Sequence, residues 1–240
     1  MSLHQRPIVI SFSSPKGGVG KSTTCACLAG SLAARGNKVH ILDTDTNRTL
    51  ADWALDFPQD TTGITVEAIP EGTNLLGHLR QLCSTLDGFI FVDVAGAWES
   101  YALAAASVAD LVISPAKLNV PDLKMAAKTR AFLDHLGTTL GRPITHRVLI
   151  NEVSALASSH YQRGAFKSLE SAPFTAFNTL IGDRAPFAEI FSTGQTPHFA
   201  DQSREPVRKA VAQLDELTNE VLATIDAASQ DIPMLTKVAA

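Results

Sequence analysis

The chain has 240 residues, of which 45% are hydrophobic and 18% charged, which is enough for one α/β domain with a large core and does not require two. Its formal net charge of −4 gives no global attraction to nucleic acid, so any DNA binding has to come from a local patch. Three cysteines (Cys25, Cys27 and Cys83) make no disulfide framework, no apolar run approaches the roughly 20 residues of a membrane span, and Met1 to Pro7 lacks the apolar core of a signal peptide, so a cytoplasmic protein is expected.

Residues 1–6 read as a loose lead-in, and an apolar strand is predicted over about 7–13. It runs into Ser13-Ser14-Pro15-Lys16-Gly17-Gly18-Val19-Gly20-Lys21-Ser22-Thr23-Thr24, and a helical pattern follows to about Arg35, where Gly36-Asn37 stops it. Strand, glycine-rich loop and helix are the context a phosphate-binding loop needs. Glycine lets backbone N–H groups turn inward with no Cβ in the way, and the helix presents its positive N-terminus to the same anion. Gly17 to Thr23 would form the cradle, with Lys21 on the β/γ-phosphates, the Ser22 hydroxyl on Mg²⁺ and Thr23 adding a hydrogen bond to phosphate. Two departures from G-x-x-x-x-G-K-[ST] stand out. Its first position is Pro15, and a second lysine, Lys16, precedes Lys21 by five residues.

A second buried strand over 38–43 ends in Asp43-Thr44-Asp45-Thr46-Asn47-Arg48. Carboxylates at the C-terminal end of a strand beside a phosphate loop lie where α/β sheets place their chemistry, although a turn or helix cap uses the same residues. A short helix over 49–55 follows, with Trp53 read as a packing residue, then a strand over 64–69 and a helix over 73–85. Asp87 to Gly96 holds four apolar residues ending in Asp93, the shape of a Walker B strand whose carboxylate binds Mg²⁺ through a water. Gly96-Ala97 would be a flexible switch. A helix over 102–109, a strand over 110–115, a helix opened by Pro121-Asp122 and running to about Leu136, and a strand over 144–151 come next. That strand ends at Asn151, which on its own reads as readily as an ordinary turn residue as a binding residue. A last strand is expected over 177–181, a short helix from Asp183 to near Gly194, and a long helix over 203–227 with Val207, Val211, Leu214, Leu217, Val221 and Ile225 on one face. Arg204, Arg208 and Lys209 at its start, with Arg184, Arg163 and Lys167, could form a basic patch or a merely solvated cationic end. The alternation predicts an α/β fold over 1–228, a mostly parallel twisted sheet with helices on both faces that carries the phosphate loop, and a flexible tail is expected over 229–240.

The run K-G-G-V-G-K-S-T, the D-x-D at Asp43 to Asp45, the strand ending in Asp93, the Pro-Asp helix start and the C-terminal helix resemble the ParA/MinD family of deviant Walker A ATPases. The run D-T-D-T-N-R-T-L-A-D-W from Asp43 is similar to short ParA-type proteins of plasmids and to the related ATPase that promotes T-DNA transfer in plant-associated bacteria. The resemblance implies a single P-loop α/β domain, ATP and Mg²⁺ as cofactors and a homodimer in the ATP state. Lys16 would reach into the partner's nucleotide site, Asp43 would join the magnesium shell with Ser22 and Asp93, Asp45 would position the attacking water, and Asn151 would meet the adenine. It further implies non-specific double-stranded DNA binding through Arg184, Arg204, Arg208 and Lys209, association with the nucleoid, and a stimulating partner protein of ParB or cargo-adaptor type. Its expected work is partition or positioning of DNA or another cargo. A MinD-like membrane-associated ATPase is disfavoured by a tail that lacks a basic amphipathic helix. An ATPase assisting conjugative DNA transfer is a further alternative. An iron-protein relative is disfavoured because the last cysteine is Cys83.

Overall fold

Six short apolar runs form one sheet in the computed structural model, which describes residues 6–58, 63–95, 100–153, 167 and 169–230. The strands are β1 (Ile8–Phe12), β2 (Val39–Asp43), β3 (Ile64–Ala68), β4 (Phe89–Asp93), β5 (Leu111–Lys117) and β6 (His146–Asn151). Their order is β3-β2-β4-β1-β5-β6, and every pairing is parallel. The helices are α1 (Lys21–Ala34), α2 (Thr49–Asp56), α3 (Leu75–Thr85), α4 (Ser100–Val108), α5 (Val120–Leu140), α6 (Ala185–Ala188), α7 (Ile190–Thr193) and α8 (Glu205–Gln230).

The central strands β1 and β4 read as largely unbroken apolar runs because both faces of the sheet are covered there, while the edge strand β3 carries Thr65 and Glu67 and is less buried. Successive side chains point to opposite faces, so each central strand feeds two cores. Phe12, Phe89 and Phe91 pack with α1, α2 and α8, while Val9, Ile90 and Val92 pack with α3, α4 and α5. The predicted stripe on α8 is the buried one at Val207, Leu214, Leu217, Val221 and Ile225, which join the core, while Val211 is only half-buried. Register then sets the chemistry. Phe12, Asp93 and Asp43 are aligned across β1, β4 and β2, so the phosphate-loop exit and two carboxylates emerge at one edge. That edge is the carboxyl end of the sheet, where open α/β folds bind ligands.

Two elements differ from the sequence reading. Helix α5 starts where Asn119 accepts a hydrogen bond from the Asp122 N–H at 2.9 Å, but it continues past Leu136 to Leu140 and stops at Gly141, whose φ of 67° is a left-handed cap. The strand expected over 177–181 is absent as a strand. The segment meets β6 through an isolated parallel bridge between Val148 and Ala176 and a hydrogen bond from the Ile181 N–H to the Ile150 carbonyl, and a second bridge pairs Gly182 with Val153 just beyond the strand. Between them the N–H groups of Asn178 and Thr179 donate to the Glu220 carboxylate on α8, at 2.7 and 3.0 Å, so they are lost to the sheet. The Gly96-Ala97 switch, Arg163 and residues 231–240 of the tail lie outside the described residues.

A buried relay ties β5 and β6 to the phosphate loop. The single Ser114 hydroxyl hydrogen goes to the Ser13 carbonyl at 2.7 Å, so Ser114 Oγ must accept from His146 Nε2–H at 2.9 Å. His146 Nδ1 is then a bare lone pair with no donor facing it. Burial, with Arg130 and Arg147 nearby, pushes the imidazole down to about 3. Below pH 6.5 the unfolded chain takes up a proton that the folded chain refuses, so this group removes stability as pH falls from 6.5 toward 3. His146→Gln keeps a donor for Ser114 and cannot titrate. Chemical denaturation at pH 6.5 and pH 5 should show wild type losing about 2 kcal/mol more than the variant over that interval.

Candidate functional site

The chain leaves β1 at Phe12 and re-enters regular structure at Lys21, the first residue of α1. The turn between them closes at Gly20, which has φ 88°; a Cβ there would also lie 2.7 Å from Asn151 Nδ2. Both facts require glycine at that position. The turn borders a cleft of about 900 Å³ lined by Pro15, Gly17, Gly18, Lys21, Ser22, Asp43 and Asp45, among others. Lys21 is buried at the base of α1 and donates to the Lys16 carbonyl at 3.3 Å. Val19 is buried and turns its carbonyl to Asn151 Nδ2 at 3.1 Å.

Ser22 and Asp93 meet directly: Ser22 Oγ donates to Asp93 Oδ2 at 2.6 Å. The other carboxylate oxygen, Asp93 Oδ1, is buried and has no hydrogen-bond partner. Burial pushes the Asp93 carboxyl up to about 7, against the pull of the Ser22 hydrogen bond and with help from the nearby Asp43 charge. An orphaned carboxylate oxygen beside a hydroxyl is a hard-oxygen donor set that suits a small divalent cation.

Asp43 is placed differently. Its Oδ2 accepts from the Leu50 and Ala51 N–H groups at 2.9 and 3.0 Å, and its Oδ1 from the Asp45 N–H at 3.1 Å. It therefore fixes loop 44–49 and the start of α2 from the end of β2. Burial raises its carboxyl, and those three N–H groups counter the rise. Asp45 lines the cleft; its carboxylate accepts from the Asn47 N–H at 2.9 Å and its carbonyl from the Arg48 N–H at 2.9 Å. Thr44, unremarked in the sequence, links the two acidic strand ends. Its hydroxyl donates to the Asp93 carbonyl at 2.9 Å and accepts from the Ala95 N–H at 3.2 Å. Its position between two marked aspartates was the available signal.

A second cavity of about 350 Å³ adjoins the cleft and shares Gly20 and Thr23 with it. Asn151, Gly182, Arg184 and Phe187 contribute to its wall. Asn151 donates its amide N–H groups to Val19 O and to Thr24 Oγ1 at 3.0 Å, which leaves its buried Oδ1 with no donor. Thus the loop, Lys21, Ser22, Asp45 and Asn151 converge on one bipartite groove, polar and charged at the loop and more apolar beyond Thr23, with Asp93 buried behind Ser22.

Lys16 is apart from that groove. It does not line the cleft, and its ammonium pairs with Asp122 on α5 while its side chain stays 44% exposed. The four cations proposed for DNA fall in two places. Arg204, Arg208 and Lys209 gather at the start of α8, all exposed. Arg204 makes a two-pronged pair with Glu189 at 3.0 Å, Lys209 pairs with Glu205 at 2.6 Å, and Arg208 donates to the Gln202 and Ser203 carbonyls. Arg184 belongs instead to the 350 Å³ cavity, where its Nε donates to Gln213 Oε1 at 2.9 Å. No helix among the described residues is long and apolar enough to cross a membrane. Cys25 and Cys27 are buried free thiols in α1 whose pKa values burial pushes upward.

Comparison with known proteins agrees with this fold. The VirC1 protein family matches residues 8–229. The Protein ParA of Rhizobium radiobacter is 30% identical over 195 residues, covering 80% of this chain and 85% of that protein. Among solved structures, the ATP complex of a single-substitution variant of Cyanothece McdA superposes with a TM-score of 0.69 at 14% identity, covering 90% of this chain and 97% of the other. A plasmid partition protein from Borrelia burgdorferi B31 bound to AMPPNP gives 0.66 at 16% identity, covering 91% and 99%. At those identities the two structures establish the P-loop fold.

Proposed function

We infer the function from one premise: the chain belongs to the VirC1 family of ParA-like proteins. We propose that it is an ATP-hydrolysing switch that closes into a homodimer with ATP bound and then holds double-stranded DNA without reading its sequence. The observation that carries this reading is the contrast between the two loop lysines. Lys21 lies buried in the cleft, whereas Lys16 lies outside it on an exposed arm. A lysine that does not line its own cleft is placed to serve a partner's.

On this reading the triphosphate lies along Gly17 to Thr23, with Lys21 neutralising its terminal charges and the N-terminus of α1 aimed at it. The base enters the 350 Å³ cavity, where Asn151 Oδ1 is the waiting acceptor. Ser22 and Asp93 would hold Mg²⁺, which neutralises charge on the phosphates. Asp43 would act on that centre by fixing loop 44–49, and Asp45 would orient the attacking water. Lys16 of each protomer would complete the charge neutralisation in the other, which couples hydrolysis to dimerisation. A stimulating protein of ParB or adaptor type would trigger hydrolysis and release. The family, together with the likeness of the stretch from Asp43 to Trp53 to the ATPase that promotes T-DNA transfer, favours DNA as cargo, in partition or in transfer.

The test is binding to non-specific duplex DNA with ATP, with ADP and without nucleotide, at about 50 and about 200 mM salt. The expected result is binding with ATP alone. If about four phosphates are contacted per dimer, affinity should fall roughly a hundredfold over that salt range. Equal binding in all three nucleotide states, or none in any, would remove the DNA-switch reading.

A further inference from the structure

Asp122 is among the most buried carboxylates of the chain, with 1% of its side chain exposed, and both of its oxygens are engaged. One oxygen accepts the Lys117 N–H at 3.0 Å, and the other takes the ammonium of Lys16. Its own N–H goes to Asn119 as the cap of α5. The sequence marks it only as a helix opener, and a carboxylate in the first turn of a helix is favoured in any case. Capping does not explain why it meets the one loop lysine that avoids the phosphate cleft.

We propose that Asp122 is a positioning residue that parks Lys16 in the nucleotide-free protomer and sets the ATP concentration at which two protomers close. The proposal rests on the reading that Lys16 acts in the partner's site. Two tethers hold Lys16. Its ammonium is on Asp122, and its carbonyl accepts from Lys21 Nζ. Phosphate in the cleft would draw Lys21 away and release the carbonyl. The ammonium stays, because its departure would leave a buried carboxylate with a single backbone N–H, and such a charge is costly to strand. Only a stronger anion, the triphosphate presented by a second protomer, can take Lys16 from it. Nucleotide alone therefore loosens the loop without freeing the lysine, and closure requires both.

Asp122→Asn keeps an acceptor for the Lys117 N–H and removes the charge, and Asp122→Glu restores it. Two readings are taken on the full chain. The first is the rate at which an amine-reactive acylating reagent labels Lys16 without nucleotide, with the exposed Lys38 as internal standard. The second is the ATP concentration giving half-maximal dimer in analytical ultracentrifugation. Asp122→Asn should raise Lys16 labelling roughly fivefold and lower the dimerisation midpoint by a similar factor, while Asp122→Glu should return both toward wild type. Unchanged labelling would show that Asp122 does not hold Lys16. Faster labelling with an unchanged or higher midpoint would show that the contact does not oppose closure. Either result overturns the proposal. A wild type that stays monomeric with saturating ATP fails differently: it removes the dimer reading and this proposal with it, and the labelling arm then reports the contact alone.

Discussion

Lys16→Ala is expected to bind ATP within about threefold of wild-type affinity and to lose roughly a thousandfold in turnover, the range over which a charge supplied in trans acts on phosphoryl transfer. Binding should persist because the loop groups on the cleft wall include Gly17, Gly18, Lys21, Ser22 and Thr23, whereas Lys16 does not line it and touches Lys21 only through its carbonyl. Alanine keeps that carbonyl. Turnover should collapse because the removed ammonium is the one that, on this reading, reaches the other protomer's ATP. Wild-type turnover per protomer should accordingly rise with protein concentration before levelling, and the residual activity of the variant should not. Calorimetric titration with a non-hydrolysable analogue and phosphate release over a range of protein concentrations provide both numbers. The variant also strands the Asp122 carboxylate, so some loss of stability accompanies it, of about 1–3 kcal/mol, and the assays belong well below its unfolding transition. Turnover near wild type would return Lys16 to an ordinary solvated lysine in a glycine-rich turn.

The fold was legible because its signals were local and repeated. Most strands are short apolar runs, two of them closed by an aspartate at Asp43 and Asp93, and a covered parallel sheet needs little other pattern. The segment from Phe177 to Ile181 failed for the opposite reason. Its apolar ends look like a strand, but the hydrogen bonds of its middle go to Glu220, some forty residues away, and no local pattern encodes that. At the site, glycine spacing located the loop, and strand ends located Asp43 and Asp93. What spacing could not separate was the role of the two aspartates. Asp43 commits both oxygens to backbone N–H groups, whereas Asp93 keeps one free. Asp122, Thr44 and His146 matter through partners distant in sequence, so each looked like a helix opener, a spacer or a scattered histidine. The cations near α8 were legible as charges, and the i,i+4 spacing of Glu205 and Lys209 is local, but the pairing of Arg204 with Glu189 is a fact of three-dimensional placement.

Asp93→Asn should move stability and function in opposite directions, which no purely structural role for this residue would do. The carboxylate is buried, one oxygen has no partner, and burial pushes its pKa up to about 7, so keeping it charged costs folding free energy. A folded-state pKa above the unfolded value means that the folded chain binds the extra proton between about pH 4 and pH 7. Wild-type stability from this group is then lost as pH rises across that window, and at pH 8 the cost is fully present. Asparagine has the same shape, still accepts from Ser22 Oγ, and carries no charge. Its amide N–H groups would replace the orphaned oxygen at a smaller penalty. Nucleotide-free protein at pH 8 should therefore gain roughly 1–2 kcal/mol, read as a higher Tm or denaturation midpoint. Magnesium-dependent ATP turnover should fall by about a hundredfold or more, because the hard oxygen that would hold the cation with Ser22 is gone. A loss of stability in the variant would mean that Asp93 serves the packing at the end of β4. A gain of stability with turnover retained would mean that the cation is held elsewhere. The paired result, a firmer protein that no longer hydrolyses ATP, is what a carboxylate kept for chemistry at the expense of the fold should give.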